Sequence, residues 1–261
     1  MAFAKGEFSG ITFFFTLTTA LGIQISTNFV NDYCDFLKGA DTNGRKGPLR
    51  VTQAGLVSLQ TMKKAIVLSM LLTVAAGLCL VFPGGPLIAF LLVLALALAV
   101  LYTAGPYPLA YLGLGDLFVF CFFGPVAVLG TYFLQTKTLS FEPLFAGIGT
   151  GALSTAILTV NNLRDVEEDA AAHKKTVAVR FGNTFAKIEY VVCLLIAAAT
   201  PLFFIKTRPL ISLSLLFLVP GFFCIKKVFN YGDPKELNKI LAGTGLLLMI
   251  YTLFFTLGLL F

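Results

Sequence analysis

Residues 65–104 read AIVLSMLLTVAAGLCLVFPGGPLIAFLLVLALALAVLYTA. This stretch contains no Asp, Glu, Lys or Arg, and its turn chemistry is confined to the central block Pro83-Gly84-Gly85-Pro86. A backbone in hydrocarbon must satisfy its own polar groups, so apolar runs of this length are helical. About 20 residues suffice to cross a bilayer. The stretch therefore reads as two transmembrane helices joined by a tight Pro/Gly hairpin.

The same reading, carried outward, gives about eight spans, near residues 9–30, 65–82, 86–104, 115–134, 143–163, 188–205, 209–225 and 241–260. Composition agrees. Hydrophobic residues make up 57% of the chain and charged residues 12%, whereas a soluble domain carries about 25% charge. The expectation is an all-α, polytopic membrane bundle forming one domain over 1–261, with the lipid bilayer as its solvent. The N-terminus lacks the cationic region and short apolar core of a cleaved signal peptide. The five cysteines are scattered with no CxxC pair and read as small apolar filler. A single histidine, His173, offers no metal site of its own.

Eight spans put both termini on one side and the loops near 31–64, 105–114, 164–187 and 226–240 on the other. Of the 19 Lys and Arg, only Lys5, Lys137, Lys206 and Arg208 fall outside those loops. The positive-inside rule makes the loop side cytoplasmic. The net charge of +6 is thus a topology signal. No basic helix interleaved with exposed aromatics suggests nucleic acid.

Only 13 residues are acidic, so their placement carries information. One group lies in Asn28-Phe-Val-Asn31-Asp32-Tyr-Cys-Asp35-Phe-Leu-Lys38-Gly-Ala-Asp41, another in Asn161-Asn162-Leu-Arg164-Asp165-Val-Glu167-Glu168-Asp169. Both begin at the inner end of a span. On a helix, Asn28, Asp32 and Asp35 fall within an arc of roughly 60°, and so do Asn162, Asp165 and Asp169. Asp41, Glu167 and Glu168 read as caps or solvated loop charges. Each group precedes a basic loop, Arg45-Lys-Gly-Pro-Leu-Arg50 and Lys174-Lys175-Thr-Val-Ala-Val-Arg180. The pattern suggests two pseudo-repeated halves facing each other. Paired oxygen clusters suit Mg²⁺ bridging carboxylates to substrate phosphates, with Lys and Arg neutralising the remaining phosphate charge. A diphosphate at the mouth of a greasy bundle points to an isoprenyl diphosphate. A secondary transporter also carries repeats and intramembrane acids, but at the midplane rather than at one face.

Asn28-x-x-Asn31-Asp32-x-x-Asp35 and Asn162-x-x-Asp165-x-x-x-Asp169 resemble the two aspartate motifs of the UbiA superfamily of intramembrane prenyltransferases. Together with YTAGPYPLAYLGLGDLFVFCFFGPVAVLGTYFLQ (102–135) and NNLRDVEEDAAAHKKTVAVRFG (161–182), the resemblance is closest to the MenA family, the 1,4-dihydroxy-2-naphthoate polyprenyltransferases of menaquinone and phylloquinone synthesis. It implies a Mg²⁺-dependent enzyme of a bacterial plasma membrane, with its acidic motifs facing the cytoplasm. That enzyme joins a polyprenyl diphosphate to 1,4-dihydroxy-2-naphthoate with loss of diphosphate and CO₂. It further implies Asn28, Asp32, Asp35, Asn162, Asp165 and Asp169 as metal ligands, the four aspartates being essential to catalysis. Lys174, Arg50 and Arg45 would contact phosphate, Asp116 would stand on the acceptor side, and Tyr102, Tyr107 and Tyr111 would contact the cation or the ring. A sibling enzyme taking hydroxybenzoate or homogentisate shares the same metal motifs. Two departures stand out. The family usually has Gly where His173 stands. It also has nine spans, the one without a counterpart here being the first, with its Arg-Pro-x-Thr-like start, so an upstream helix or weak activity is expected.

Overall fold

The structure, a computed structural model, describes residues 1–39 and 45–261. Asp41, the last acid of the first group, lies outside the described residues. Among these the ordered secondary structure is helical. It comprises α1 Gly10–Leu37, α2 Leu59–Leu101, α3 Gly115–Phe122, α4 Pro125–Thr136, α5 Phe141–Arg164, α6 Val166–Ala171, α7 Val177–Ala199, α8 Leu218–Asn230 and α9 Leu237–Leu260. Short 3₁₀ turns extend several of them, notably Thr200–Phe203 after α7 and Pro209–Phe217 before α8. Among the described residues seven stretches are long and apolar enough to cross a bilayer.

One of the seven is a hairpin. As a straight rod α2 would measure about 65 Å, twice the hydrocarbon thickness. Gly85 breaks it at φ +65°, ψ −159°, a backbone region open to glycine and closed to most other residues. A Cβ on Gly77 would lie 2.6 Å from the Leu92 methyls, so the two legs run back along each other. Counted as two legs, α2 brings the spans to the eight expected, with the turn at Pro83–Pro86. The span expected at 115–134 bends at Gly124-Pro125, where proline removes a donor. Helices α1, α7 and α9 extend farther into the polar end than their apolar cores indicate. The first acidic group is therefore helical up to Leu37.

Helix α5 sits at the centre. Ala152, Leu153, Ala156, Val160 and Leu163 are fully buried, and α3, α4, α7 and α9 all pack against it. Its small residues permit close approach, as at membrane helix crossings generally. The Gly124 bend lies directly against Gly147 and Gly151 of α5. Helices α1 and α2 meet through Gly22 and Thr73 and through a Ser26–Ser69 hydroxyl bond of 2.9 Å. The segments 31–39, 45–57, 102–114, 165–176 and 230–238 gather at one end of the bundle. Lys38 Nζ donates to the Thr103 carbonyl (2.6 Å), Lys175 N to the Tyr111 carbonyl (3.2 Å) and Asn238 Nδ2 to the Lys46 carbonyl (2.9 Å). Lys5, Lys137 and Arg208 lie at the opposite end, where Lys5 Nζ donates to the Tyr132 hydroxyl.

A Cβ at Gly147 would lie 2.7 Å from Pro125 N and Cα, backbone atoms that cannot swing aside. We expect Gly147→Ala to destabilise the detergent-solubilised protein by about 1–3 kcal/mol. Gly245→Ala, with nothing within 4 Å, should melt at or above the wild-type temperature. Thermal unfolding of the two variants makes the comparison.

Candidate active site

The gathered loops roof a polar cavity of about 120 Å³. Its lining takes Asn31 and Asp35 from α1, Arg45 and Arg50 from the first basic loop, and Tyr102 and Thr103 from the end of α2. Opposite them stand Asp116 at the start of α3, Asn161 and Asn162 on α5, and Asp165, Glu168, Asp169 and Lys174 from the second motif. Groups widely separated in the chain thus face one another.

The contact between the halves is ionic. Lys174 Nζ lies 2.8 Å from Asp35 Oδ2 and 3.9 Å from Asp169 Oδ1, so one ammonium stands between a carboxylate of each motif. The Tyr111 ring supports the cluster, with Lys38 Nζ 4.2 Å and Lys174 Nζ 5.3 Å from its centroid. Burial pushes the Asp169 carboxyl up to about 7. Asp165, Asp35 and Glu168 add to that rise, and Lys174 pulls against it. Burial likewise holds the Tyr102 and Tyr111 hydroxyls above their usual range, with Asp116, Asp169 and Asp35 adding for Tyr102 and Asp35 and Asp169 for Tyr111.

The second motif is anchored by Arg164, which is only 1% exposed. Its Nε and Nη2 donate to the two oxygens of Asp165 at 2.6 and 2.7 Å, Nη2 also to Asn161 Oδ1 at 2.6 Å, and Nη1 to Asn238 Oδ1 at 2.9 Å. Gly47 of the first basic loop lies against this guanidinium, where a Cβ would be 2.8 Å from Nη2. Glu168, expected to be a solvated loop charge, is half-buried and accepts the Lys46 N–H at 2.8 Å. Glu167 is largely in solvent and pairs with the Lys46 ammonium.

The cavity gathers most of the residues singled out from sequence. Arg45, Arg50, Lys174, Asp116, Tyr102, Asp35, Asn162, Asp165 and Asp169 all line it. Three do not. Asn28 is exposed and lines an adjoining apolar cavity, and Asp32 is buried without lining either. On α1 it is the pair Asn31 and Asp35 that reaches the polar cavity, where the Thr103 hydroxyl at the end of α2 donates to Asn31 Oδ1. Tyr107 is 77% exposed, whereas Tyr111, named with it from sequence, stands at the ionic cluster. The second trio shares no single helix, since α5 ends at Arg164 and Asp165 links it to α6. Sequence reasoning passed over Arg164 and Asn161, whose signal was their place inside NNLRD. It also passed over Asn238, which carried no signal.

The donor set fits a hard divalent cation. Asp32 Oδ1, Asp35 Oδ1 and Asp116 Oδ1 are buried without a hydrogen-bond partner among the described residues, and the oxygen ligands available are carboxylates and amides. Among the described residues no three His, Cys, Asp or Glu side chains converge on one point. A cation here would take one or two protein carboxylates and complete its shell with water and substrate oxygens, as Mg²⁺ commonly does.

Removing Arg164 would strand the buried Asp165 carboxylate. We expect Arg164→Ala to cost about 3–5 kcal/mol and Glu167→Ala, which breaks a solvent-exposed pair, less than about 1 kcal/mol, both read by thermal unfolding.

Comparison with known proteins is consistent with this geometry. The UbiA prenyltransferase family matches residues 1–253. The 1,4-dihydroxy-2-naphthoate octaprenyltransferase of Haemophilus influenzae is 37% identical to the chain, over 97% of it and 85% of the relative. The protein of that name from Escherichia coli is 35% identical, over 99% and 87%. The human UbiA prenyltransferase domain-containing protein 1 is 31% identical, over 91% and 70%. At the position where the resemblance expects Gly, His173 has φ +57°, a left-handed backbone that accounts for a glycine preference. A match spanning nearly the whole chain, on a helical bundle whose paired acidic motifs meet in one cavity, places this protein in the UbiA prenyltransferase family.

Proposed function

We propose that the chain transfers a polyprenyl group from its diphosphate to 1,4-dihydroxy-2-naphthoate at the polar cavity, which faces the cytoplasm. The observation that carries this reading is the shape of the space. The polar cavity shares Asn31 and Tyr102 with an apolar cavity of about 220 Å³. That cavity in turn shares Ile23, Gln24, Ala95, Phe122 and Phe123 with a third, of about 300 Å³, reaching Leu134 near the far end of α4. A polar chamber continued by a greasy passage down the bundle suits a diphosphate head on a polyisoprenoid tail. The naphthoate acceptor is inferred from the names of the two bacterial relatives.

In this reading Asp35 and Asp169, from opposite motifs, would hold Mg²⁺ with Asn162. Asp165, whose two oxygens accept from Arg164, would keep a free lone pair on each for the same purpose. Bound there, the metal supplies Lewis-acid charge that makes diphosphate a leaving group. Lys174, Arg45 and Arg50 neutralise phosphate oxygens as the allylic C–O bond breaks. The Tyr102 ring, at the neck between the polar and apolar cavities, lies where an allylic carbon would pass, and its π face favours positive charge. Asp116, beside Tyr102 and Gly115, borders the remaining space, where the naphthoate ring fits. The ring carbon bonds to the allylic carbon, and the carboxylate leaves as CO₂, returning its electron pair to the ring.

In membranes holding the protein, transfer of a labelled prenyl group to naphthoate should require Mg²⁺ or Mn²⁺ and stop in excess EDTA. Asp35→Ala and Asp169→Ala should each lose about 100-fold or more of turnover while still inserting, with Tyr107→Ala close to wild type. Full activity in EDTA, or equal loss in all three variants, would refute the site as drawn. The passage has its own test. Ala95 lines both apolar cavities, so Ala95→Trp should exclude long polyprenyl donors and still use geranyl diphosphate. Undiminished use of the long donor would place the tail elsewhere.

A further inference from the structure

The residue that ties the first basic loop to the second motif lies in neither. Asn238 is in the first turn of α9, fixed by a capping box in which Asp233 Oδ1 accepts from Lys235 N (2.8 Å) and Glu236 Oε1 from Asp233 N (3.5 Å). Its amide works in both directions. The oxygen accepts from Arg164 Nη1 at 2.9 Å, and the nitrogen donates to the Lys46 carbonyl at 2.9 Å and to the Lys235 carbonyl at 3.1 Å. The Lys46 main chain is therefore held at both its polar groups, its N–H by Glu168 and its C=O by Asn238. Next to it, Gly47 rests on the Arg164 guanidinium. Arg45, immediately before this pinned residue, and Arg50, shortly after it, both line the polar cavity.

We propose that Asn238 is a positioning residue for the donor site, latching the first basic loop onto the buried Arg164–Asp165 pair so that Arg45 and Arg50 are held over the cavity. The latch itself follows from the hydrogen bonds alone; its kinetic consequence rests on the prenyl-transfer reading above. An amide is suited to the position because it can accept from a guanidinium and donate to a carbonyl at once. A carboxylate of the same shape keeps the first bond and loses the second, setting an oxygen against the Lys46 carbonyl oxygen.

That asymmetry supplies the test. Asn238→Asp and Asn238→Ala would be prepared in lipid nanodiscs beside wild type and first matched for insertion and cooperative melting. Asn238→Asp leaves Arg164 paired, so it remains informative if the alanine variant folds poorly. Two readouts follow: the rate of trypsin cleavage after Arg45, Lys46 and Arg50, and the steady-state constants for prenyl diphosphate and naphthoate. We expect both variants to be cut about tenfold faster in this loop, the equivalent of one lost hydrogen bond. KM for the diphosphate should rise by a similar factor, with KM for naphthoate and kcat within about twofold of wild type. Wild-type cleavage and wild-type KM in both variants would overturn the latch. So would a wild-type Asn238→Asp beside an impaired Asn238→Ala, since Asn238 would then serve only the Arg164 charge. Cleavage needs no substrate. Absence of prenyl transfer by wild type would count against the functional reading, while proteolysis would still judge the latch.

Discussion

A guanidinium that water scarcely reaches must be paired and given hydrogen-bond acceptors, because leaving it otherwise would cost several kcal/mol. Arg164 imposes this demand at the end of the most buried helix of the bundle, and the polar end is arranged to meet it. Asp165 and Asn161 come from its own segment, and Asn238 comes from the last helix. The first basic loop can lie flat on the guanidinium because residue 47 is glycine. Three regions far apart in the chain thus converge on one side chain before any substrate is present. The groups proposed for catalysis are carried on this support.

The second charged cluster differs in kind. Lys174 between Asp35 and Asp169 is a looser arrangement, in which Asp35 Oδ1 has no hydrogen-bond partner among the described residues and an aromatic ring lies against the ammonium. Stability alone would favour full pairing of buried groups. A spare acceptor oxygen beside a paired ammonium instead suits the proposed site, where cations and phosphate would exchange. The division of labour follows: a saturated arginine network holds the loops in place, and an unsaturated carboxylate–lysine cluster faces the cavity. The apolar passage below it is built largely from α1, the second leg of α2, α3 and α4.

Much of this was legible in the sequence because the bilayer is a severe filter. The hairpin at Pro83–Pro86 follows from a charge-free run too long for one span and broken by residues that cannot continue a helix. The meeting of the two acidic groups follows from the side of the membrane to which each returns. Helix ends were less legible. Helix α7 begins before Lys187 because its first turns stand beyond the apolar core, where hydropathy carries no signal. Angular position on α1 grouped Asn28 with Asp35, whereas the polar cavity is lined by Asn31 and Asp35, a difference set by how the neighbouring segments pack on the helix. Tyr107 and Tyr111 are equivalent as sequence, and only the loop's fold sends one to solvent and the other to Lys174. Asn238 was beyond reach, because one of its hydrogen-bond partners lies 192 residues away and no local pattern marks it.

The central claim is that the two acidic motifs and the passage beneath them form a prenyl-transfer site for a naphthoate. Its most direct test is product analysis. The chain would be reconstituted in nanodiscs with Mg²⁺ and a labelled polyprenyl diphosphate, then offered 1,4-dihydroxy-2-naphthoate, 4-hydroxybenzoate and homogentisate in parallel. The account predicts a prenylated naphthalenediol with release of CO₂ and diphosphate, and little product from the other two acceptors. Preferential prenylation of hydroxybenzoate or homogentisate would contradict the assigned acceptor. No transfer to any acceptor by inserted, cooperatively melting protein would contradict the account as a whole.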